Sequence, residues 1–190
     1  MRQRILQFSQ RPFVRNVAAV ATGTAASQAI SMAFSPIITR LYGPSAYGIQ
    51  GVFLSIASIM ATIAAMTYPI AIVLPKSDVD AAALCRLSLL IGIAMSLNVT
   101  IILFCLGPEI LALLNAGEIA AFMYLIPLSM LISVCSEVMS QWLIRKKAFT
   151  LSAKVTVYQT LLSSSFKAGL GLIYPTAAVL VVTNTLAGLL

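Results

Sequence analysis

The sequence predicts an all-α integral membrane protein, a polytopic bundle of about six helices, on three observations. Of its 190 residues, 60% are hydrophobic and 9% are charged, whereas roughly a quarter of a soluble domain is charged. Two runs carry no charge at all, the 24 residues Asn16 to Thr39 and the 35 residues Leu41 to Pro75. Each exceeds the ~18 apolar residues that mark a bilayer-spanning helix. The basic residues gather at the ends of such runs, where the positive-inside rule operates.

Taken in order, the expected spans are 16–39, 49–74, 87–107, 119–143 and 155–174, with an incomplete sixth at 176–190 and no soluble domain. The first run is too long for a secretory signal core of about 7–15 residues, so it reads as a retained helix. Between the first two spans lies "TRLYGPSAYG", Thr39 to Gly48. Gly43, Pro44 and Ser45 are turn residues there, and Arg40 is close enough to water to snorkel. Pro69 should kink the second span by removing a backbone donor. Ser77 followed by Asp80 fits a capping box that opens the third. Tyr42, Tyr47, Trp142 and Tyr174 fall near span ends, where aromatic rings favour the headgroup level. Fifteen residues follow Pro175, about 22 Å of helix against a hydrocarbon core of ~30 Å. The expectation is therefore a fragment, residues 1–190 forming one N-terminal transmembrane lobe of a longer protein.

Lysine and arginine set the orientation. The N-terminal tail carries Arg2, Arg4, Arg11 and Arg15, the loop after span two Lys76 and Arg86, and the loop after span four Arg145, Lys146, Lys147 and Lys154. The opposite side offers Arg40, while the 108–118 loop holds Glu109 and Glu118 and no base. This asymmetry predicts a cytoplasmic N-terminus.

Composition also excludes functions. With no histidine, histidine-built zinc sites and Ser–His or Cys–His catalysis are ruled out. The three cysteines, Cys85, Cys105 and Cys135, have no CxxC spacing and read as small buried apolar residues. A net charge of +7 would suit nucleic acid, but its placement at span ends points to a membrane and to no nucleic-acid partner. Asn98-Val99-Thr100 matches a glycosylation sequon inside an apolar run, out of reach of a transferase. Asp78 and Asp80 read as helix-capping residues. No phosphate loop, metal set or nucleophile–base pair is present. The expectation is no catalytic residue, no metal and no cofactor, in a protein that is not an enzyme.

The informative residues are polar ones inside the spans. Ala19, Gly23, Ser27, Ser31 and Ser35 recur every fourth residue with Thr24 and Gln28 beside them, and Gly51, Ser55, Ser58 and Thr62 form a weaker face. Such stripes are either helix–helix contacts or the wall of a polar cavity. Span four places Ser129, Ser133, Glu137 and Gln141 on one face, and span five Gln159, Ser163, Lys167 and Gly171. Glu137 lies about 12 Å inward from Arg145, and Lys167 about 20 Å inward from Lys154. A charge at such depth costs at least ~2.5–3.5 kcal/mol on insertion scales and usually faces a bundle interior or a hydrated cavity. Two readings stand side by side: a Glu137–Lys167 pair joining antiparallel neighbours, or a hydrated pathway lined by both.

The segments "RNVAAVATGTAASQAISMAFSPIITRLYGPSAYGIQGVF" and "YPIAIVLPKSDVDAAALCRLSLLI" resemble the N-terminal part of bacterial polysaccharide-biosynthesis membrane proteins. These are the O-antigen flippase type, within the multidrug/oligosaccharidyl-lipid/polysaccharide exporter superfamily. The likeness runs from Arg15 to Ile91 through Arg40, Tyr42, Pro44, Gly48, Ala71-Ile72 and Leu74-Pro75-Lys76. The resemblance implies one lobe of a bacterial inner-membrane protein with some 12 to 14 spans. Such proteins move a lipid-linked oligosaccharide of the undecaprenyl-diphosphate type across the membrane by alternating access. Other polysaccharide-assembly membrane proteins are its implied partners. It makes Arg40 and Lys167 candidates for holding the diphosphate, with Glu137, Gln28 and Gln159 as further candidates for the substrate path. The family often has an acid where this chain has Pro69, and an acid and Phe near Ser45 and Tyr47, which weakens ion coupling through span two. The competing readings are an exporter of drugs or other amphiphiles from the same superfamily, and a non-transporting membrane subunit.

Overall fold

The computed structural model describes residues 2–113 and 117–188. The side chains of Arg2, Arg4, Arg11 and Glu118, residues 114–116 of the expected 108–118 loop, and the last two residues of the expected sixth span lie outside the described residues. In chain order the elements are α1 (Arg2–Ala65), a 3-10 turn (Tyr68–Val73), α2 (Asp78–Leu113), a second 3-10 turn (Gly117–Phe122), α3 (Leu125–Arg145), α4 (Phe149–Ile173) and α5 (Ala177–Ala187). Val14–Ala65, Asp78–Ile110 and Leu125–Arg145 are long and apolar enough to cross a membrane, and Ala177–Ala187 is a shorter apolar helix. The chain is an all-helical membrane protein.

The loop expected at 39–48 contracts to a single break. α1 is helical up to Gly43, which takes φ 68° and ψ 173°, and helical again after it. That backbone conformation is open essentially to glycine alone. Pro44 then begins the second limb, where a fixed φ suits the first helical position and the missing N–H leaves no bond unmade.

Contacts along the limbs give their directions. The first limb runs beside α4, from Gly23 against Ala153 to Tyr42 against Gly171, so the two are parallel. The second limb shares cavities with α3 from Phe53 and Ser129 to Thr62 and Glu137, again parallel. α2 returns antiparallel to α3, with Gly92 against Val134 and Gly107 against Met123. Ser96 Oγ donates to the Pro127 carbonyl at 2.8 Å across that interface.

Pro69 does not kink the second limb. The helix stops at Ala65, and Met66 and Thr67 take positive φ values of 43° and 59° before the 3-10 turn begins. A proline ring clashes with the carbonyl four residues back and disfavours the helical conformation of the residue before it. Ala65 is that fourth residue back. Pro69 and Ile72 are instead buried in the 3-10 turn. Pro127 similarly sets the start of α3, which begins at Leu125 rather than near 119, so that the proline falls in the first turn. α2 passes through Pro108 to Leu113, beyond the expected end at 107, and α4 begins at Phe149, six residues before the expected 155.

The core forms where α3 meets the second limb of α1, α2 and the 3-10 turn, around Phe53, Ile72, Met130, Val134 and Val181. A smaller cluster of Ile38, Tyr42, Ala46 and Leu180 ties the Gly43 break to α5. Met32, Phe104 and Leu172 are exposed, as expected where lipid replaces water at the surface. The stripe Ala19, Gly23, Ser27, Ser31 and Ser35 is not one contact face. Gly23 and Ser27 are buried, and then Ile38 and Tyr42, while Ala19 is half-buried and Ser31 and Ser35 are exposed. Each four-residue step turns a helix about 400°, so a strict stripe drifts some 40° per step off the interface.

Candidate functional site: a polar groove along α3

α3 carries Ser129, Ser133, Glu137 and Gln141 one turn apart, and cavities lie on both sides of this row. One, of about 200 Å³, is lined by Phe53, Ser58, Ser129, Ser133, Asn184 and Thr185 among others. A second, of about 260 Å³, lies between the end of the second α1 limb, Thr67–Ile70 and the pair Ser133 and Glu137. The third, of about 670 Å³, separates α3 from α4 and is lined by Ser133, Ser136, Glu137, Ser140, Thr156 and Gln159 among others. Its size falls within the ~300–1,000 Å³ typical of small-molecule sites. Ser133 borders all three.

Of the five candidates read from the sequence, Glu137 and Gln159 share the largest of these three cavities. The Gln159 amide donates to the Ala187 carbonyl, and Ser136 Oγ donates to that of Gly188, so both reach the end of α5. Glu137 and Lys167 are not brought together. Lys167 Nζ donates to Asn184 Oδ1 of α5 at 3.0 Å, while Glu137 accepts from Gln141 Nε2 at 2.8 Å. Tyr42 OH donates to the Lys167 carbonyl at 2.8 Å, fixing the α4 backbone at that position. Arg40 and Gln28 are exposed on the first limb of α1, and neither they nor Lys167 line any of the three cavities.

Two residues that make key polar contacts in the structure are not singled out by the sequence. Asn184 is the partner of Lys167, and its signal was available: a lone amide inside the apolar "VVTNTL". Arg145 was counted only as a basic residue at a span end. Its guanidinium donates to the carbonyls of Ile72 at 3.2 Å, Pro75 at 2.6 Å and Ser77 at 3.0 Å. Nε and Nη2 also reach Asp78 Oδ1 at 3.1 and 3.0 Å. All five guanidinium donors are thereby used. Ser77 Oγ accepts from the Asp80 backbone N–H at 3.1 Å, capping α2 as expected. Asp78, expected as a capping residue, instead binds the bases at the end of α3: Lys146 Nζ joins it at 2.6 Å, and that ammonium also stacks 5.3 Å from the Trp142 ring centre.

The hydrogen bonds from Lys146 and then Arg145 hold the Asp78 carboxyl below its ordinary value of 3.8. A lowered folded-state value contributes stability that is fully present above the ordinary value and is lost as pH falls through the folded one. Asp78→Asn should therefore melt earlier than the parent protein at neutral pH, and the difference should close below about pH 4. Thermal unfolding in detergent at a series of pH values checks this. A gap that persists undiminished in acid would remove the carboxylate's role.

The helices, their apolar outer surface and this interior groove define a polytopic membrane protein that keeps polar residues between its helices. A family model described as polysaccharide biosynthesis protein matches residues 37–190, most of the chain. The chain belongs to the polysaccharide biosynthesis protein family. No curated protein and no solved structure matches it.

Proposed function

We propose that this chain is the N-terminal lobe of a bacterial inner-membrane flippase. It moves a lipid-linked oligosaccharide of the undecaprenyl-diphosphate type from the cytoplasmic to the outer leaflet by alternating access. It acts as a transporter and not as an enzyme. Membership of a polysaccharide biosynthesis family supports the reading, and the observation that carries it is the polar groove along α3. Serine, threonine, glutamine and a carboxylate lining a cavity between apolar helices are costly to keep in a membrane unless a polar molecule or water meets them there. The excess of basic residues on one side supports a cytoplasmic N-terminus. Lys167, whose ammonium has a neutral amide for a partner, is the residue for the diphosphate, since an anionic ligand offsets the desolvation of a buried cation. Arg40, exposed next to the Gly43 break, is the second.

The test uses the organism. Deleting the full reading frame should trap lipid-linked glycan on the cytoplasmic leaflet and reduce surface polysaccharide. The intact gene should reverse both. Lys167→Ala should insert normally and restore flux roughly tenfold less well or worse, the loss expected of one charge-assisted hydrogen bond. Unchanged leaflet distribution after deletion, in a strain with no second flippase, would point to the drug-exporter alternative.

A further inference from the structure

α2 turns one face to α3 and leaves the other bare. Val79, Ala83, Arg86, Leu90, Leu97 and Phe104 are all exposed, and their spacings of three, four or seven residues put them on one side of the helix. Arg86 is the one charge in this row. Because α2 begins at Asp78, Arg86 stands in its third turn and not in the loop before it. One turn to either side its neighbours are Ala82, Ala83, Leu89 and Leu90, so no acid is within reach along the helix. Among the described residues the ion pairs are those of Asp78 with Arg145 and Lys146, and Arg86 belongs to neither. Its depth is informative. The apolar stretch Asp78–Ile110 has 33 residues, about 50 Å of helix against a hydrocarbon core of ~30 Å. Centred on that core it overhangs by roughly 10 Å at each end, and Arg86 lies about 12 Å from Asp78. The guanidinium is thus level with the boundary between hydrocarbon and headgroups, on a face that lipid covers.

An arginine facing lipid is costly unless its charge meets a partner, and its planar fork of N–H donors matches a phosphate group bidentately. The same end of the bundle carries Lys76, Arg145, Lys146 and Lys147 against Asp78 and Asp80. That net positive charge favours an anionic lipid over a zwitterionic one. We propose that the outer face of α2 is a binding site for an anionic phospholipid, with Arg86 holding the phosphodiester and Leu90 and Leu97 receiving an acyl chain. These two leucines lie about 6 and 16 Å further along the same face, the direction in which an acyl chain runs from its headgroup into the core. No residue of α2 lines any of the three cavities. The lipid held here is therefore distinct from anything the groove takes, and the site does not depend on the flippase reading.

Two measurements on the full-length protein test this. Native mass spectrometry in detergent, with phosphatidylglycerol titrated in, should show lipid bound to the parent protein. Arg86→Gln should weaken that binding about tenfold or more, the loss expected of a charge-assisted hydrogen bond, and Arg86→Lys should recover part of it. Arg15→Gln, which removes an exposed arginine from α1, should bind as the parent does. Phosphatidylcholine should bind roughly tenfold more weakly than phosphatidylglycerol, and inorganic phosphate should not displace the lipid. In nanodiscs, phosphatidylglycerol with a photoreactive group in its acyl chain should cross-link to α2 between residues 87 and 97, an arm that needs no variant. Equal affinity in the parent and Arg86→Gln overturns the site, as does an equal loss in Arg15→Gln, which would mean that net charge alone attracts the lipid. Cross-links that all fall outside α2 overturn it as well, since another partner would then cover this face. Phosphatidylcholine bound as tightly as phosphatidylglycerol overturns the anionic selectivity, and displacement by inorganic phosphate overturns the role given to the acyl chain.

Discussion

Arg145→Ala should be the most damaging single change at the end of the bundle where α3 stops. The guanidinium, 10% exposed, satisfies the carbonyls of Ile72, Pro75 and Ser77. These lie in or just after the segment that Pro69 forces out of helical form, where carbonyls lack the internal partners a helix provides. A hydrogen bond to a charged donor contributes about 1.5–3 kcal/mol, and an orphaned buried acceptor bears the full desolvation penalty. Losing the carbonyl contacts together should cost roughly 3 kcal/mol or more even though such terms do not add fully. Two consequences are measurable in detergent: a lower melting temperature, and faster proteolysis between residues 66 and 77. Arg145→Lys should rescue little, because an ammonium offers three donors from one point and cannot span acceptors on three residues. A lysine variant as stable as the parent would mean that charge alone, and not the planar fork, holds the segment.

What could be read from the sequence divides along a physical line. Uncharged runs demand helices because a bilayer offers the backbone no other partner, so the helical class was legible before any contact was known. Gly43 was legible as a break, being a residue that can turn sharply immediately before one that opens a helix. The fate of Pro69 was harder, because a proline near a helix end either bends the helix or stops it. The outcome rests here on Arg145, 76 positions later, and on the burial of Ile72. Partner choice between helices was not legible. Glu137 takes Gln141, one turn along its own helix, a pairing the four-residue spacing permits, whereas rotational phase turns Lys167 to Asn184 on another helix. That phase is set by packing contacts such as Tyr42 on Gly171, which no periodicity along a single helix reveals. Asn184 lies on α5, the shortest helix, where the expected span was incomplete and little weight fell on its single amide.

Gly23→Leu should separate the longest parallel contact in the fold. A methyl group added at Gly23 would lie 2.7 Å from Ala153 Cβ, 3.0 Å from its Cα and 3.2 Å from its carbonyl oxygen. Two of these are backbone atoms of α4, so no side-chain rotation relieves the clash, and the two helices must move apart. Overpacking a close-packed interior typically costs about 1–3 kcal/mol, and a bulky residue against backbone belongs at the upper end. In a membrane the consequence is sharper than in water, since close approach of small residues is itself what holds such helices together. The effect should also reach the groove. α4 carries Gln159 and Lys167 between the Ala153 and Gly171 contacts, so spreading α4 from α1 displaces both from their α5 partners. Gly23→Leu should lower the melting temperature and, on the proposed flippase function, reduce translocation with it, and Gly23→Ala should do so to a smaller degree. The pair Gly23→Ala with Ala153→Gly exchanges the two methyl groups across the same contact and should recover part of the loss. If Gly23→Ala and the double variant melt alike, Ala153 does not set the spacing of these helices. Recovery by the double variant alone would identify this contact as what holds α4, and the polar residues it carries, against the rest of the bundle.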